Sequence, residues 1–401
     1  LGCQWETPGI FTQWFVLERA AAEVICVKVR YLTRLDQVDG IGEVLNREEL
    51  RAIQEVEGTF PFRSSSYYLS HIDWSDPEDP LRRIVVPDPR ELEGSGALDP
   101  SSEKSYTRIR GLQHKYPQTA LLLVSDTCGG ICRFCFRKRL FLTEEREVAD
   151  DIPACMEYIR EHREITNVLL SGGDPLMLPT KGLEALVREL REIPHVQIIR
   201  IGTKIPAYNP HRILDDPELL EMIRRYSTDE RRIYVMAHFT HPKELSGDAM
   251  RALAALQSAG AVVVNQTPLI AGINSSPPVL SDLLRRLSFI GVSPYYIFQC
   301  RPVTGNRIFT LPVEKSYQII QGAFARCSGL AKQARFIMSH ATGKIEVVGR
   351  TAQQVFMRYH QAADARNLDR FMVFHSNPHA TWFDDYQRHL TDFLPRMHWL
   401  F

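Results

Sequence analysis

The chain has 401 residues, 44% hydrophobic and 24% charged, and its 48 basic and 48 acidic side chains cancel to zero net charge. That is enough chain to bury a large core, as one big domain with extensions or as two domains. The even charge excludes the global field of a nucleic-acid-binding protein. The segment IFTQWFVLERAAAEVICVKV is broken by Glu18, Arg19 and Glu23 with no basic stretch before it, so it reads neither as a signal peptide nor as a membrane span. The expected compartment is the cytoplasm, where clustered cysteines bind metal more often than they form disulfides.

In chain order, residues 1–110 read as a helical and irregular extension. A helical stretch, NREELRAIQEVEG, precedes a region (64–100) dense in Ser, Asp and Pro that suggests irregular chain wrapped around a core. From about residue 118 a unit recurs: a short apolar run, a polar turn, then helical periodicity. The runs are TALLLVS (119–125), NVLLSG (167–172), VQIIRIG (196–202), RIYVMAH (232–238), AVVVNQ (261–266) and PYYIFQ (294–299), separated by segments such as GLEALVRELREI and DAMRALAALQSAG. Six βα units with nearly continuous apolar strands predict a parallel sheet covered by helices, a partial (β/α)6 barrel core over 111–330. Residues 331–401 form a C-terminal segment, read after 340 as two short helical or irregular pieces.

In such a barrel, chemistry gathers at the carboxyl ends of the strands. The first run leads into Cys128, Cys132 and Cys135; the second into Ser171-Gly172-Gly173-Asp174; the fourth into His238 and His241. The fifth ends in Asn265-Gln266 and the sixth in Gln299-Cys300-Arg301. The spacing C-x3-C-x2-C can aim three thiolates at one point. A structural zinc needs four ligands, and no matching second pair is present: Cys155 falls on a helical stretch, Cys3 and Cys26 lie near the N-terminus, and Cys300 and Cys327 stand alone. Three thiolates suit a four-iron, four-sulfur cluster with one iron open to another ligand.

At this point the sequence resembles the radical S-adenosylmethionine (SAM) superfamily. Within it, the phrases YYLSHIDWSDPEDPLRR, LQHKYPQTALLLVSDTC, CRFCFRKRLF, VLLSGGDPLML, LREIPHVQIIRIGTK, AHFTHPKEL, VVNQTPLIAGIN and PYYIFQC are similar to the lysine 2,3-aminomutase family. The resemblance implies an isomerase with a partial barrel carrying a 4Fe-4S cluster, SAM and pyridoxal 5′-phosphate. In that chemistry the pyridoxal holds the amino acid as an imine, a 5′-deoxyadenosyl radical takes a β-hydrogen, and nitrogen moves from C2 to C3. The resemblance also implies residue roles. Cys128, Cys132 and Cys135 hold the cluster; Ser171, Gly172, Gly173 and Asp174, with His238 and Gln266, meet SAM. Lys115 and Tyr116 keep part of the pyridoxal site, and Lys344 is the pyridoxal lysine, a surface lysine after a turn being the alternative. Arg137 grips the substrate carboxylate. A small-molecule amino acid, an electron donor such as flavodoxin or ferredoxin, and a homo-oligomer are the implied partners, with no nucleic acid or membrane.

The chain departs from the family at several positions. Arg301 stands where the lysine enzymes carry an aspartate for the substrate ammonium, and Ser339 or His340 stands at a second such aspartate. Thr119 replaces an arginine and Phe298 a tyrosine beside the pyridoxal. An arginine in the pocket repels a lysine side chain, so the expected substrate is another amino acid, glutamate or aspartate, with a pyridoxal-independent hydrogen abstraction or lysine itself as alternatives.

Overall fold

Successive residues of the central strands point to opposite sides, and both sides are covered. On Ile198–Thr203, Ile199 and Ile201 pack outward into the helical layer while Arg200 and Gly202 turn inward. Thr119–Ser125 behaves alike, with Ala120, Leu122 and Val124 outward and Leu121 inward. A strand covered on both faces has to be apolar nearly throughout, which is the pattern the runs display.

The computed structural model describes residues 29–386 except 95 and 144. The segment before residue 29, with Cys3 and Cys26, lies outside the described residues. Two short strands, β1 (Tyr31–Leu32) and β2 (Ser64–Ser65), pair in the extension. The remaining strands are β3 (Thr107–Ile109), β4 (Leu112–Tyr116), β5 (Thr119–Ser125), β6 (Asn167–Gly172), β7 (Ile198–Thr203), β8 (Ile233–Ala237), β9 (Val262–Leu269), β10 (Ser293–Gln299), β11 (Arg335–His340), β12 (Gly343–Arg350), β13 (Gln354–Ala362) and β14 (Phe371–His375). They form one sheet in sequential order from β3 to β14. Strands β5 to β11 are parallel neighbours, and the pairs at either end are antiparallel. All six expected βα units are present, and β11 adds a seventh parallel strand.

The six intervening helices are Ile152–Glu161, Thr180–Glu192, Pro217–Tyr226, Gly247–Ser258, Pro277–Phe289 and Val313–Phe324. Asp151, Asp216, Ser246 and Ser276 cap four of them by accepting from the backbone N–H of Ala154, Leu219, Ala249 and Val279. No helix among the described residues is long and apolar enough to cross a membrane.

The segment after 340 corrects the sequence reading. Residues 343–375 form a β-meander, β12 to β14, where short helical or irregular pieces were expected, and the described chain after it is irregular apart from the short 3-10 helix Phe383–Asp385. Ile345, Val347, Val355, Met357, Tyr359, Met372 and Phe374 recur at alternate positions and bury one face with Val313, Ile319, Ile320 and Ala323. The turn from β11 to β12 has only two residues, Ala341 and Thr342, between the paired His340 and Gly343.

The two ends of the barrel sheet are brought together by side chains. Lys115 on β4 donates to the His340 carbonyl on β11 at 2.6 Å, Tyr106 to that of Ala341 at 3.0 Å, and Ser101 to that of Ser339 at 2.8 Å. The extension bridges the gap, with Ala97 pairing to Val303. The enclosed space is a cavity of about 320 Å³, of small-molecule size.

Candidate active site

The loop after β5 is held from outside the barrel. The Ile131 N–H donates to the Arg63 carbonyl (2.9 Å), Arg63 Nε to the Cys128 carbonyl (2.7 Å), and the Arg133 N–H to the Ile84 carbonyl (2.8 Å). Arg133, 1% exposed, forms a two-pronged pair with the buried Glu91 at 2.8 and 3.0 Å. Tethered in this way, Cys128, Cys132 and Cys135 all line the cavity. Burial pushes all three thiols upward, Cys132 to about 11, so as thiolates they require a cationic guest. Cys300 lines the same cavity with its Sγ turned to the Arg301 carbonyl at 3.8 Å, and Cys155 is buried on its helix.

Next to the thiols, the β6 end presents bare backbone. A Cβ on Gly172 would stand 2.3 Å from the Ser125 carbonyl oxygen, and one on Gly173 2.5 Å from that of Thr127. Only glycine lets this segment lie against the cysteine loop. The Asp174 carboxylate accepts from Thr203 Oγ1 (2.7 Å), the Lys204 N–H (2.7 Å) and the Leu176 N–H (3.0 Å). Burial nevertheless raises it to about 6. Its side chain therefore ties β6 to β7. His238 and Gln266 line the same wall, and the buried His238 Nε2 has no hydrogen-bond partner among the described residues. Such an orphan fits a polar guest.

Another part of the wall, continuous with the cysteine loop through Arg137, carries a node of cations around Glu103, a residue of the extension. Glu103 accepts from Arg137 Nε (3.1 Å) and Nη2 (3.3 Å) and from Arg139 Nη2 (2.7 Å), and lies 3.5 Å from Arg301 Nη1. Burial would raise its carboxyl, but Arg137, Arg301 and Arg139 hold it well below the usual carboxylate range. Arg137 also donates from Nη1 to Ser171 Oγ at 2.9 Å. Three of its five N–H groups are thereby used, and each terminal nitrogen keeps one hydrogen. Arg301 stacks 3.9 Å above the Phe136 ring.

Lys344, the second residue of β12, is part of this wall. Its amine donates to Gln361 Oε1 (2.8 Å) and lies over the rings of Tyr296 (5.1 Å) and Tyr116 (5.4 Å). Burial, then Arg200, Arg301 and Lys115, push it down to about 7, and burial with Arg301 lowers Lys115 to about 8. A lysine poised near neutrality in a closed pocket is chemically suited to bonding a carbonyl, unlike a surface lysine.

Every residue given a cluster, cofactor or substrate role from the sequence thus lines one cavity, whereas His241, Asn265 and His340 do not and instead bond neighbouring chain: His241 accepts from the Lys243 N–H, Asn265 from the Phe239 N–H and His340 Nδ1 from the Thr342 N–H. Glu103, Arg200 and Tyr208 line it too and were not singled out. A lone glutamate in a Ser/Asp/Pro-rich extension gives no local signal. Arg200 did leave one, a charge inside the apolar run VQIIRIG.

Comparison with known proteins agrees with this geometry. The profile of the Radical SAM superfamily matches residues 122–278. The chain is 51% identical to a protein of Aquifex aeolicus provisionally named L-lysine 2,3-aminomutase, over 90% of this chain and 95% of the relative. It is 34% identical to the L-lysine 2,3-aminomutase of Clostridium subterminale, over 83% and 79% of the two chains. It is 35% identical to the glutamate 2,3-aminomutase of Clostridioides difficile, over 74% and 70%. Identity at this level along most of both chains leaves one assignment: the chain belongs to the lysine 2,3-aminomutase family of the radical SAM superfamily.

Proposed function

We propose that this aminomutase moves the amino group of an acidic amino acid, with glutamate the favoured substrate. The charge of the cavity wall carries the reading. Its only acidic side chains among the described residues are Glu103 and Asp174, and both are already engaged, by arginines and by the β7 end. A substrate ammonium at the distal end would find no free carboxylate. A distal carboxylate would find Arg301, whose Nη1 lies 3.5 Å from the arginine-shared Glu103. Aspartate is the less informative candidate, because moving its nitrogen from C2 to C3 regenerates aspartate. Glutamate gives 3-aminopentanedioate.

In this reading the three cysteines hold the cluster, and Ser171, Gly172, Gly173, His238 and Gln266 surround SAM, with Asp174 fixing that segment. Lys344, whose amine lies over the Tyr116 and Tyr296 rings, would hold pyridoxal phosphate, and Lys115 would add positive charge to that part of the cavity. Arg137 offers its two remaining N–H groups to the α-carboxylate while Glu103 holds its other edge. When bound, the cluster and SAM supply a hydrogen-abstracting radical and the pyridoxal carries the nitrogen. The protein's own contribution is placement in a closed cavity rich in compensating charge.

Arg301→Asp tests the assignment. We expect the variant to lose turnover of glutamate and gain turnover of lysine, because the pocket changes sign. An unchanged substrate profile would show that Arg301 does not read the side chain.

A further inference from the structure

Tyr208 stands at the end of the short helix Ile205–Tyr208 that follows β7, and is 1% exposed. Its hydroxyl lies 3.0 Å from Cys132 Sγ, its sole hydrogen-bond partner among the described residues. We propose that Tyr208 tunes the cluster: in the loaded protein its phenol donates to the Cys132 thiolate and raises the cluster's reduction potential. The inference rests on the cluster site and is independent of the substrate.

The donor is fixed by valence. A cysteine that ligates iron is a thiolate and has no hydrogen to give, so the hydrogen between the two atoms is the phenol's. A donor to a ligating sulfur offsets negative charge, and it does so more strongly in the reduced cluster, which carries one more electron. Hydrogen bonds to cluster sulfurs are among the determinants of potential for this reason.

The ring is held so that the hydroxyl has no competing acceptor. It packs edge-on against Tyr68 (centroids 4.7 Å apart, 67°), and Ser65 Oγ donates to the Tyr208 carbonyl. Tyr68 turns its own hydroxyl to Glu244 Oε1 at 2.9 Å. Lys204, 5.3 Å from the Tyr208 ring centroid, is compensated by Glu244 at 2.6 Å. The cysteine loop itself makes room. A Cβ on Gly130 would stand 2.8 Å from a Tyr208 ring carbon, and one on Gly129 would stand 2.7 Å from Ile205 Cδ1. The two glycines of C-G-G-I-C and the tyrosine are therefore a matched pair, with the ring filling the slot that larger loop residues would close.

The test is a potentiometric titration of the reconstituted protein, followed by electron paramagnetic resonance without substrate. Tyr208→Phe keeps the ring and deletes the donor. We expect an unchanged iron and sulfide content and a lower midpoint, shifted by about tenfold in the one-electron equilibrium, about 59 mV. An unchanged midpoint at full cluster content overturns the proposal. A second protein, with a ring-fluorinated tyrosine at 208, carries a stronger donor in the same shape and decides the matter even where Tyr208→Phe retains less iron. Its midpoint is expected to rise, and no rise overturns the proposal. A merely structural role would not move the two midpoints in opposite directions.

Discussion

Lys344 concentrates the chemistry at the scale of single residues. We propose its amine as the one that bonds pyridoxal phosphate, and its environment suits it to that, since burial and the neighbouring cations Arg200, Arg301 and Lys115 bring it to about 7. The sign follows from the charge of each form. Below that value the amine is an ammonium and cannot attack a carbonyl; above it the free amine dominates. Capture of pyridoxal phosphate, trapped with borohydride and located by peptide mass, is therefore expected to rise with pH about a midpoint near 7. In Lys344→Ala the trapped peptide should vanish. A midpoint near the ordinary lysine value of 10.5 would mean the amine is not desolvated as described. The arginines obey the same logic: Arg137 is aimed because Glu103 and Ser171 use three of its hydrogens, which leaves its end free for a planar carboxylate.

Among the elements, the tightest constraint is the meeting of the β6 end with the cysteine loop. Gly172 has φ +115 and its missing Cβ faces the Ser125 carbonyl at 2.3 Å. Gly172→Ala is expected to cost about 1–3 kcal/mol from backbone conformation alone, with the steric clash in addition. Thermal unfolding should register that loss, and equilibrium dialysis should register weakened SAM binding, because the backbone withdraws from the cofactor wall. A variant with wild-type stability and SAM affinity would contradict the close packing.

What was legible in the sequence divides along the same line. The parallel strands were readable because burial on both faces makes them apolar at most positions, and the motifs at their ends because glycine and cysteine have few alternative uses there. The seventh strand and the meander were harder. RFIMSH follows the helix Val313–Phe324 as a further unit that the six-strand reading stopped short of, and in GKIEVVGR and QVFMRYHQA the polar Lys344, Glu346 and Arg358 alternate with Ile345, Val347, Met357 and Tyr359, a strand signal diluted because the opposite face is half-buried and charged, with Glu346 and Arg358 paired across strands. Glu103 could not be found locally, since its meaning comes only from arginines 34 to 198 residues away.

At the scale of the whole molecule, the barrel is completed by its extension. Residues 97–106 span the opening between β4 and β11, bring Glu103 to the arginines and line the cavity with Ser101, Glu103 and Tyr106. Arg63, Ile84 and Glu91 meanwhile brace the cysteine loop from the same part of the chain. One fold thus brings the cysteine loop, the β6 end, the cations around Glu103 and Lys344 to the lining of one small-molecule-sized cavity. We propose that this cavity serves an acidic amino acid, and anaerobic incubation of the reconstituted enzyme with SAM, a reductant, pyridoxal phosphate and an equal mixture of glutamate and lysine decides it, with β-amino products identified by mass spectrometry. We expect 3-aminopentanedioate from glutamate and no β-lysine. Formation of β-lysine with glutamate untouched, or 5′-deoxyadenosine with no β-amino acid at all, would contradict it.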